Sequence, residues 1–599
     1  MAHLTAGLQG GVSNSILMLF APDALAVSLR AAGLERGGFL ALALAEGLGL
    51  GLALDPPNVF AVPSTDPAAI VQALDEAFRP RWVWWSNATA AVLTAAGVRV
   101  ATCWDLAAVH RLLFGGWRAD PARIVAVLSD LPTSTIPAMG QLNLLDDGGD
   151  DGSDFENPVR PDGHLRPEWV SGGWSADPTH LARWASTAMV MLDRQRRRLA
   201  ASAHPVRHEA TARSESAAEL LCAELEADGL PVDVAATEHI ISSLVGPRTT
   251  NERDALASAA ARDALVLQHV AASNDIDLRN PAHVKSLLNR VGVDVPDTRA
   301  WRLEPFRTAH PVVDALLTWR KAERVATTYG YTWLDEHVGP DGRLRGAWTG
   351  SDGAAGRMTA QAGLHNLPAD MRSAVTAEPG HVFVRADLGQ IEPRVLAAVS
   401  GDPQLASATV ADDLYAPVAA RLGVERSVAK VAVLAAMYGQ TSGTAGQALR
   451  GLETAYPVAM RFLEDADLAG RSGRDVRTFG GRLVRMWATP DDLDDERERR
   501  SIANARGRYA RNAVVQGAAA ELFKAWAVTV RARAAAHGAR IVLCLHDELL
   551  VQAPHEAAQT VADLLDHCLQ EAAWRWAPDR SVRFVADISV IERWSDAKP

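Results

Sequence analysis

Residues 543–552 read LCLHDELLVQ, with three polar residues in a row, His546, Asp547 and Glu548, standing between two apolar runs. RIVLCL before the triplet and LLVQAP after it have the β-rich, period-two character of paired strands, so the stretch predicts a hairpin whose bend carries Asp547 and Glu548. Hairpin bends are often acidic for no reason beyond solvation. The triplet acquires chemical meaning only if other carboxylates and cations elsewhere in the chain form a set with it.

A second carboxylate is offered by HVFVRADLGQIEPRVLAAVSGD, residues 381–402. A strand is expected to end at Asp387 and a helix to begin near Gln390, with Pro393 in its first turn, where a missing N–H costs nothing. An Asp at a strand end can face a cleft, although one alone serves equally well as a cap or turn residue.

The stretch ERSVAKVAVLAAMYGQTSG, residues 425–443, predicts a helix with Arg426 and Lys430 one turn apart and Leu434 and Tyr438 continuing the same face. Neither cation has an acid three or four residues away. Two like charges on an Ala/Val helix cost about 0.2–0.5 kcal/mol, which makes sense if an anion is the missing partner, a phosphate being the preferred reading over a solvated face. In RGRYARNAVVQGAAAELFKAW, residues 506–526, Arg508, Asn512 and Gln516 recur every four residues. They form a polar stripe that is either an ordinary amphipathic face or a row of donors suited to the acceptors that every base pair presents in the minor groove.

The whole chain bounds these readings. Its 599 residues and 48% hydrophobic content suit two to four globular domains. The net charge of −12 argues against a global basic footprint for nucleic acid, while leaving room for a local basic channel. Cys103, Cys222, Cys544 and Cys568 show no CxxC spacing and are expected as reduced core thiols. The opening MAHLTAGLQGGVSNSILMLF has no basic start and only a short apolar run, so neither a secretory signal nor a membrane span is expected, and the compartment is expected to be the cytoplasm. FLALAL, LGLGLAL, RWVWWS and RIVAVL read as strand-like runs within an α/β pattern over the first 135 residues. The segment 142–169, rich in Gly, Pro and Asp, reads as a surface loop or linker, and the chain from Thr187 to Ala326 reads as mostly helical.

Taken in order, these stretches resemble the motifs of the family A DNA polymerases, the bacterial DNA polymerase I family. DLGQIEPRVLAAVSGD is similar to motif A, RSVAKVAVLAAMYG to motif B and LHDELLVQ to motif C. GRMTAQAGLHNLP, residues 356–368, and RYARNAVVQGAAAELFK, residues 508–524, resemble two further motifs. The resemblance implies an α+β right-hand fold of palm, fingers and thumb, preceded by an α/β RNase H-like exonuclease-fold domain. The expected domains are 1–205, degenerate exonuclease-like, with an acidic loop at about 141–176; 206–320, thumb; 321–410, palm with motif A; 411–530, fingers with motif B; and 531–599, palm with motif C.

The resemblance further implies two Mg²⁺ ions, with Mn²⁺ able to substitute, held by Asp387 and Asp547. Glu548 would support them, and Lys430 would act as acid to the leaving pyrophosphate. Arg426, Lys430, Gln390, Glu392, Leu434, Tyr438 and Tyr415 would bind the incoming dNTP, with Glu392 blocking a ribose 2′-hydroxyl beside Tyr438. Arg357, Asn366, Arg394, Arg508, Asn512, Gln516 and His546 would contact DNA. Primer-template DNA and dNTPs are the expected partners of a monomer with no membrane association, located at the nucleoid.

Departures matter too. Leu434 stands where the family has an aromatic in motif B, Ala435 replaces a glycine, and Tyr415 replaces a histidine, so altered sugar discrimination and nucleotide affinity are expected. The 3′–5′ exonuclease carboxylates are missing: residues 1–200 hold no tyrosine, their DxE triplet is Asp154-Phe155-Glu156 in the acidic loop, Asn87 is followed four residues on by Ala91, and Trp184 and Ala188 stand where Tyr and Asp are expected. Without those groups nothing would hold a metal or activate water, so proofreading is expected to be absent. Two alternatives stand beside this reading. A polymerase with relaxed sugar choice would have a small residue at Glu392, and a non-catalytic DNA-binding derivative would not need both Asp387 and Asp547.

Overall fold

Long apolar runs without alternation predict strands buried on both faces, and the amino-terminal region meets that expectation. The fold comes from a computed structural model that describes residues 16–18, 22–55, 57–139, 156–270, 276–439, 445–490, 495–578 and 582–597. A six-stranded mixed sheet runs in the order Leu17–Met18, Asn58–Pro63, Gly49–Asp55, Phe39–Ala45, Arg81–Trp84, Thr102–Asp105. One face is covered by a cluster that includes Trp104, Ile124, Leu181, Trp184 and Met191, the other by Leu29, Val71, Leu74 and Leu93. The helix Pro178–Ala200 lies so close to the strand Gly49–Asp55 that a Cβ at Gly51 would strike the backbone of Leu181 and Ala182.

Two local expectations fail here. RIVAVL is not a strand but the body of the helix Pro121–Leu128: Asp120 accepts from the Arg123 N–H at 3.0 Å and Pro121 opens the first turn, so the Asp-Pro start signal prevails over the apolar run. The segment 142–169 is not wholly a solvated loop. Asp154 and Phe155 of the DxE triplet lie outside the described residues, but Val159 and Leu165 bridge and Trp169 is buried on a short helix Pro167–Val170.

The chain divides into two compact units, one of residues 1–227, 348–359 and 384–590, the other of 228–347, 360–383 and 591–599. The cut expected between 205 and 206 separates Pro205–Asp228 from its neighbours, whereas that helix packs almost entirely within the first unit. The reason is electrostatic. Glu215, Glu219 and Glu224 are all buried on it, and each finds cations or donors within the same unit: Arg482 and Lys524 at Glu215, Arg111 and Asn87 at Glu219, Arg531 at Glu224. A buried carboxylate is tolerated only when paired in this way.

The rest of the first unit is built on a four-stranded sheet in the order Arg540–Leu545, Glu548–Pro554, His381–Leu388, Ala586–Ile591. The helix Ala558–Trp576 and the long helix Glu496–Ala534 are joined by the wholly buried Trp526, whose indole N–H donates to the Leu565 carbonyl at 3.0 Å. Glycines at 470 and 507 permit close approach of the helix Pro457–Arg471 to the long one, since a Cβ at Gly470 would meet the Arg506 carbonyl at 2.5 Å. The second unit is helical around Val284, Leu287, Val312, Leu316 and Trp319. All four cysteines are buried and none is in a disulfide. Among the described residues no helix is long and apolar enough to cross a membrane.

Replacing Gly51 by Val is expected to destabilise the first unit by about 1–3 kcal/mol, because the added side chain overpacks a backbone contact. Thermal unfolding followed by circular dichroism would show it as a lowered midpoint.

Candidate active site

Two backbone features bring the distant acids together. The hairpin pairs Leu545 with Glu548, leaving His546 and Asp547 as a two-residue turn in which His546 adopts φ 51°. The N–H of Leu388, the residue after Asp387, then donates to the Asp547 carbonyl at 2.9 Å. The chain leaves the sheet at Gly389, whose N–H donates to the Val585 carbonyl at 2.9 Å, and turns at Gln390, left-handed at φ 54°. The Gln390 side chain holds that turn: its amide donates to Asp413 Oδ1 at 3.1 Å and its carbonyl accepts from the Leu414 N–H at 2.8 Å. The helix Ile391–Ser400 follows, with Glu392 in its first turn.

Negative charge accumulates at this place. Burial first, and then the Asp547 carboxylate beside it, push Asp387 up to about 6. Asp547 is also raised, by burial first and then by Glu548 and Glu392. Arg385 offsets part of the repulsion. From the same strand face as Asp387 it donates to Asp387 Oδ2 at 2.9 Å and to Glu548 Oε2 at 3.1 Å, with Asp587 Oδ2 at 3.7 Å. Among the described residues no group of three or more His, Cys, Asp or Glu side chains is arranged to hold a metal. The donors nevertheless suit a hard cation: half-buried carboxylates carry more negative charge than one guanidinium neutralises, and Mg²⁺ takes few protein carboxylates, drawing its other ligands from substrate and water.

The helix Arg426–Tyr438 supplies the other side chains. Its first residue is not the unneutralised cation expected from local spacing, because Arg426 pairs with Asp413 through Nε to Oδ2 at 2.5 Å and Nη2 to Oδ1 at 3.2 Å. A partner thirteen residues away on another element escapes any test of helical spacing. Lys430 is exposed, with no hydrogen bond or ion pair among the described residues. Leu434 is half-buried. The Tyr438 hydroxyl donates to Glu392 Oε2 at 3.0 Å, and Arg357 donates to Glu392 Oε1 at 2.9 Å, so both oxygens of Glu392 are engaged. Gln516 reaches the Tyr438 hydroxyl at 3.5 Å from the long helix. On that helix Arg508 is exposed beside Gly439, while Asn512 keeps a buried Oδ1 that accepts no hydrogen bond among the described residues.

Three expected contact residues are placed differently. Arg394 is wholly buried and spends its guanidinium on the carbonyls of Gly389, Thr409, Arg583, Ala411 and Asp412, so it braces the loop behind the site and presents nothing to DNA. Tyr415 is also buried, with the Arg426 guanidinium 5.7 Å from its ring centre, and burial pushes its phenol up to about 12. It acts as a floor beneath Arg426. Asn366 belongs to the second unit, where its carbonyl accepts from the Tyr329 hydroxyl at 2.8 Å. His546 is exposed in the turn, and its imidazole is lowered by partial desolvation first and then by Arg357. Sequence reasoning overlooked Arg385, Asp413 and Asp587. Arg385 was legible, since residues two apart on a strand share a face.

In the amino-terminal sheet region, Trp184 and Ala188 are buried and Ala91 is exposed. Trp184 packs against Trp85 at 4.6 Å, Trp169 at 6.2 Å and Trp174 at 6.4 Å between ring centres, and Asn87 donates to Glu219 at 3.0 Å. Indoles therefore surround Trp184, one of the positions at which an exonuclease residue was sought.

The family model for DNA polymerase family A matches residues 270–596, more than half of the chain. The chain belongs to DNA polymerase family A. Among this family's members, DNA polymerase I of Chloroflexus aurantiacus is 31% identical over 328 residues, covering 50% of this chain and 34% of that protein. The thermostable DNA polymerase I of Thermus thermophilus is 32% identical over 330 residues, covering 50% and 38%. The matched region thus spans little more than a third of these relatives. In fold, this family A chain is similar to the solved "POL domain of Pol1 from M. smegmatis complex with DNA primer-template and dNTP", with a TM-score of 0.65 at 20% identity over 96% of this chain and 99% of that one. The polymerase fold expected from the motifs is therefore the one found.

Because Asp387 titrates higher in the folded protein than in the unfolded chain, the folded state holds its proton more tightly. Its contribution is present at low pH and is lost as pH rises through the window from about 4 to about 6. Asp387→Asn is therefore expected to raise the melting temperature of the metal-free protein more at pH 7.5 than at pH 5. Scanning calorimetry in chelator at both pH values measures the difference.

Proposed function

We propose that this family A chain extends a primer 3′-end along a template strand, using dNTPs and releasing pyrophosphate, without proofreading, in repair or gap filling. The observation that carries the reading is the juxtaposition of Asp387 and Asp547, joined by the Leu388 to Asp547 backbone bond and raised by their shared burial. Family A polymerases use divalent metals in general, and Asp387 and Asp547 are the side chains that would hold Mg²⁺ here, or Mn²⁺ in its place. When bound, a metal pair of this kind activates the primer hydroxyl and neutralises charge developing on the transferred phosphate.

The chain's own groups account for the rest. Arg385 keeps Asp387 and Glu548 in one orientation, so the carboxylates are placed before substrate arrives. Lys430, exposed and lacking an acid of its own, would bind the triphosphate and protonate the leaving pyrophosphate oxygen. Arg426 is turned toward Asp413 and would exchange that carboxylate for phosphate when a nucleotide enters. Glu392, fixed by Tyr438 and Arg357, would stand against the sugar and exclude a 2′-hydroxyl. Arg508, Asn512 and Gln516 would face the minor groove of the new base pair, where the orphaned Asn512 oxygen could accept from a guanine amino group. His546 would meet the primer end. The tryptophan cluster around Trp184 supports the absence of proofreading, since it offers no oxygen ligands where a second metal site would have to form. A monomer bound to primer-template DNA at the nucleoid is the state in which this chemistry would run.

Asp547→Ala is expected to lower primer extension by about 10³-fold, the loss of several kcal/mol of charge stabilisation. Unchanged extension in a single-turnover assay would remove the assignment. A labelled primer incubated with metal and no dNTP is expected to stay intact; shortening that persists in the Asp387→Asn/Asp547→Ala double variant would show an exonuclease. Comparison of dNTP, rNTP and dideoxy-NTP incorporation is expected to show selectivity that departs from the family's, because Leu434 and Tyr415 replace an aromatic and a histidine. Tyr438→Phe is expected to raise ribonucleotide use by about tenfold, through loss of a hydrogen bond to a charged group.

A further inference from the structure

Residues 350–356 form the loop that delivers Arg357 to Glu392, and the loop is held from several sides. Lys524, wholly buried on the long helix, donates to the Gly350 carbonyl at 3.1 Å and the Gly356 carbonyl at 2.7 Å. Arg482 donates to Ser351 Oγ at 3.1 Å, and its guanidinium occupies the space that a side chain at Gly356 would need. Glu215 pairs with both cations, with Arg482 and with Lys524 at 2.5 Å. Asp352 closes the loop on itself, its Oδ1 accepting from the N–H groups of Ala354 at 3.0 Å and Gly356 at 2.7 Å.

The remaining contact comes from the amino-terminal region. The Trp117 indole lies over Gly353, at φ +72°, so closely that a Cβ there would run into the ring. Trp117 is 63% exposed, so core burial does not explain its placement. The segment that carries it is nonetheless anchored: Arg485 donates to the Phe114 carbonyl at 2.7 Å, and Arg477 donates to the Leu113 carbonyl at 3.3 Å through Nη2. An anchored aromatic that contributes little to a core, but caps the one glycine of this loop that is not buried, acts on the loop.

We propose that Trp117 is a positioning residue for nucleotide selection: by capping Gly353 it holds the loop that aims Arg357 at Glu392, which makes the exonuclease-like region part of the sugar-discriminating apparatus. The inference rests on the polymerase reading above. Contact passes from Trp117 to Gly353, from Arg357 to Glu392 at 2.9 Å, and meets Tyr438 at 3.0 Å from the opposite side. Loss of the indole leaves the Lys524 and Arg482 bonds in place, so the loop survives but its tip, and with it the Arg357 guanidinium, gains freedom. Glu392 then keeps one of its two fixed partners, and its rejection of a 2′-hydroxyl weakens.

The test uses the full chain and reads the ratio of kcat/KM for a dNTP to that for the matching rNTP in primer extension, with active sites titrated so that a misfolded fraction cancels. Trp117→Ala is expected to lower the ratio by about 2- to 30-fold, the range seen for residues coupled to a site without touching ligand. Trp117→Phe, which keeps a flat ring over Gly353, is expected to restore most of it. In an Arg357→Gln background, Trp117→Ala is expected to add nothing, because both act through one contact. An unchanged ratio in Trp117→Ala, or a full further drop in the Arg357→Gln background, overturns the inference and leaves the polymerase reading standing. A parent chain that extends no primer overturns both.

Discussion

Like charges forced together in a partly buried place are the constraint on which the rest of the first unit turns. Asp387, Asp547 and Glu548 arrive from two strands and a turn, and burial first, with the neighbouring carboxylates added, raises the Asp387 and Asp547 carboxyls. Backbone bonding makes the crowding unavoidable: once the Leu388 N–H is spent on the Asp547 carbonyl, the two acids cannot separate without breaking the sheet edge. Arg385 is the internal counter-charge, and it is outnumbered. A site left short of positive charge in this way is built to receive it from solution.

A second set of buried charges has the opposite character, because it is internally balanced. Glu215 meets Arg482 and Lys524, Glu219 meets Arg111, and Glu224 meets Arg531. These pairs explain why a helix with no amphipathic stripe is stable in the interior. They also join the amino-terminal sheet region to the long helix that carries Arg508, Asn512 and Gln516. Buried pairs of this kind give geometric definition more than net stability, since removing either partner strands a charge. Their consequence is that the amino-terminal region cannot be detached without cost to the loop that carries Arg357.

The carboxylates of the candidate site were legible because their neighbourhood is locally encoded. A strand that ends at Asp387 and a hairpin that bends at Asp547 are short-range events, and the structure contains both. The pairing of Glu392 with Tyr438 was also foreseen, on resemblance. Arg426 was read as lacking an acid because only helical neighbours could be inspected, and Asp413 comes from outside the helix. Arg394 and Tyr415 were assigned to ligands because their polarity is visible in sequence while their burial is not. RIVAVL went wrong for a different reason: six apolar residues fit a buried strand or a buried helix equally, and only the preceding Asp-Pro decides.

By itself, the sequence determined the family, the order of the motifs and the places of Asp387 and Asp547 within them, since all of these rest on residue identity and short spacing. Tertiary structure alone decided which cations are already spoken for. Whether an arginine is free to meet a phosphate depends on what lies within about 3 Å of its guanidinium, and for Arg394 and Arg426 those neighbours lie outside their own helices. The same holds for Trp117, whose place over Gly353 has no signature in either segment; only folding brings an indole and a glycine more than two hundred residues apart into contact.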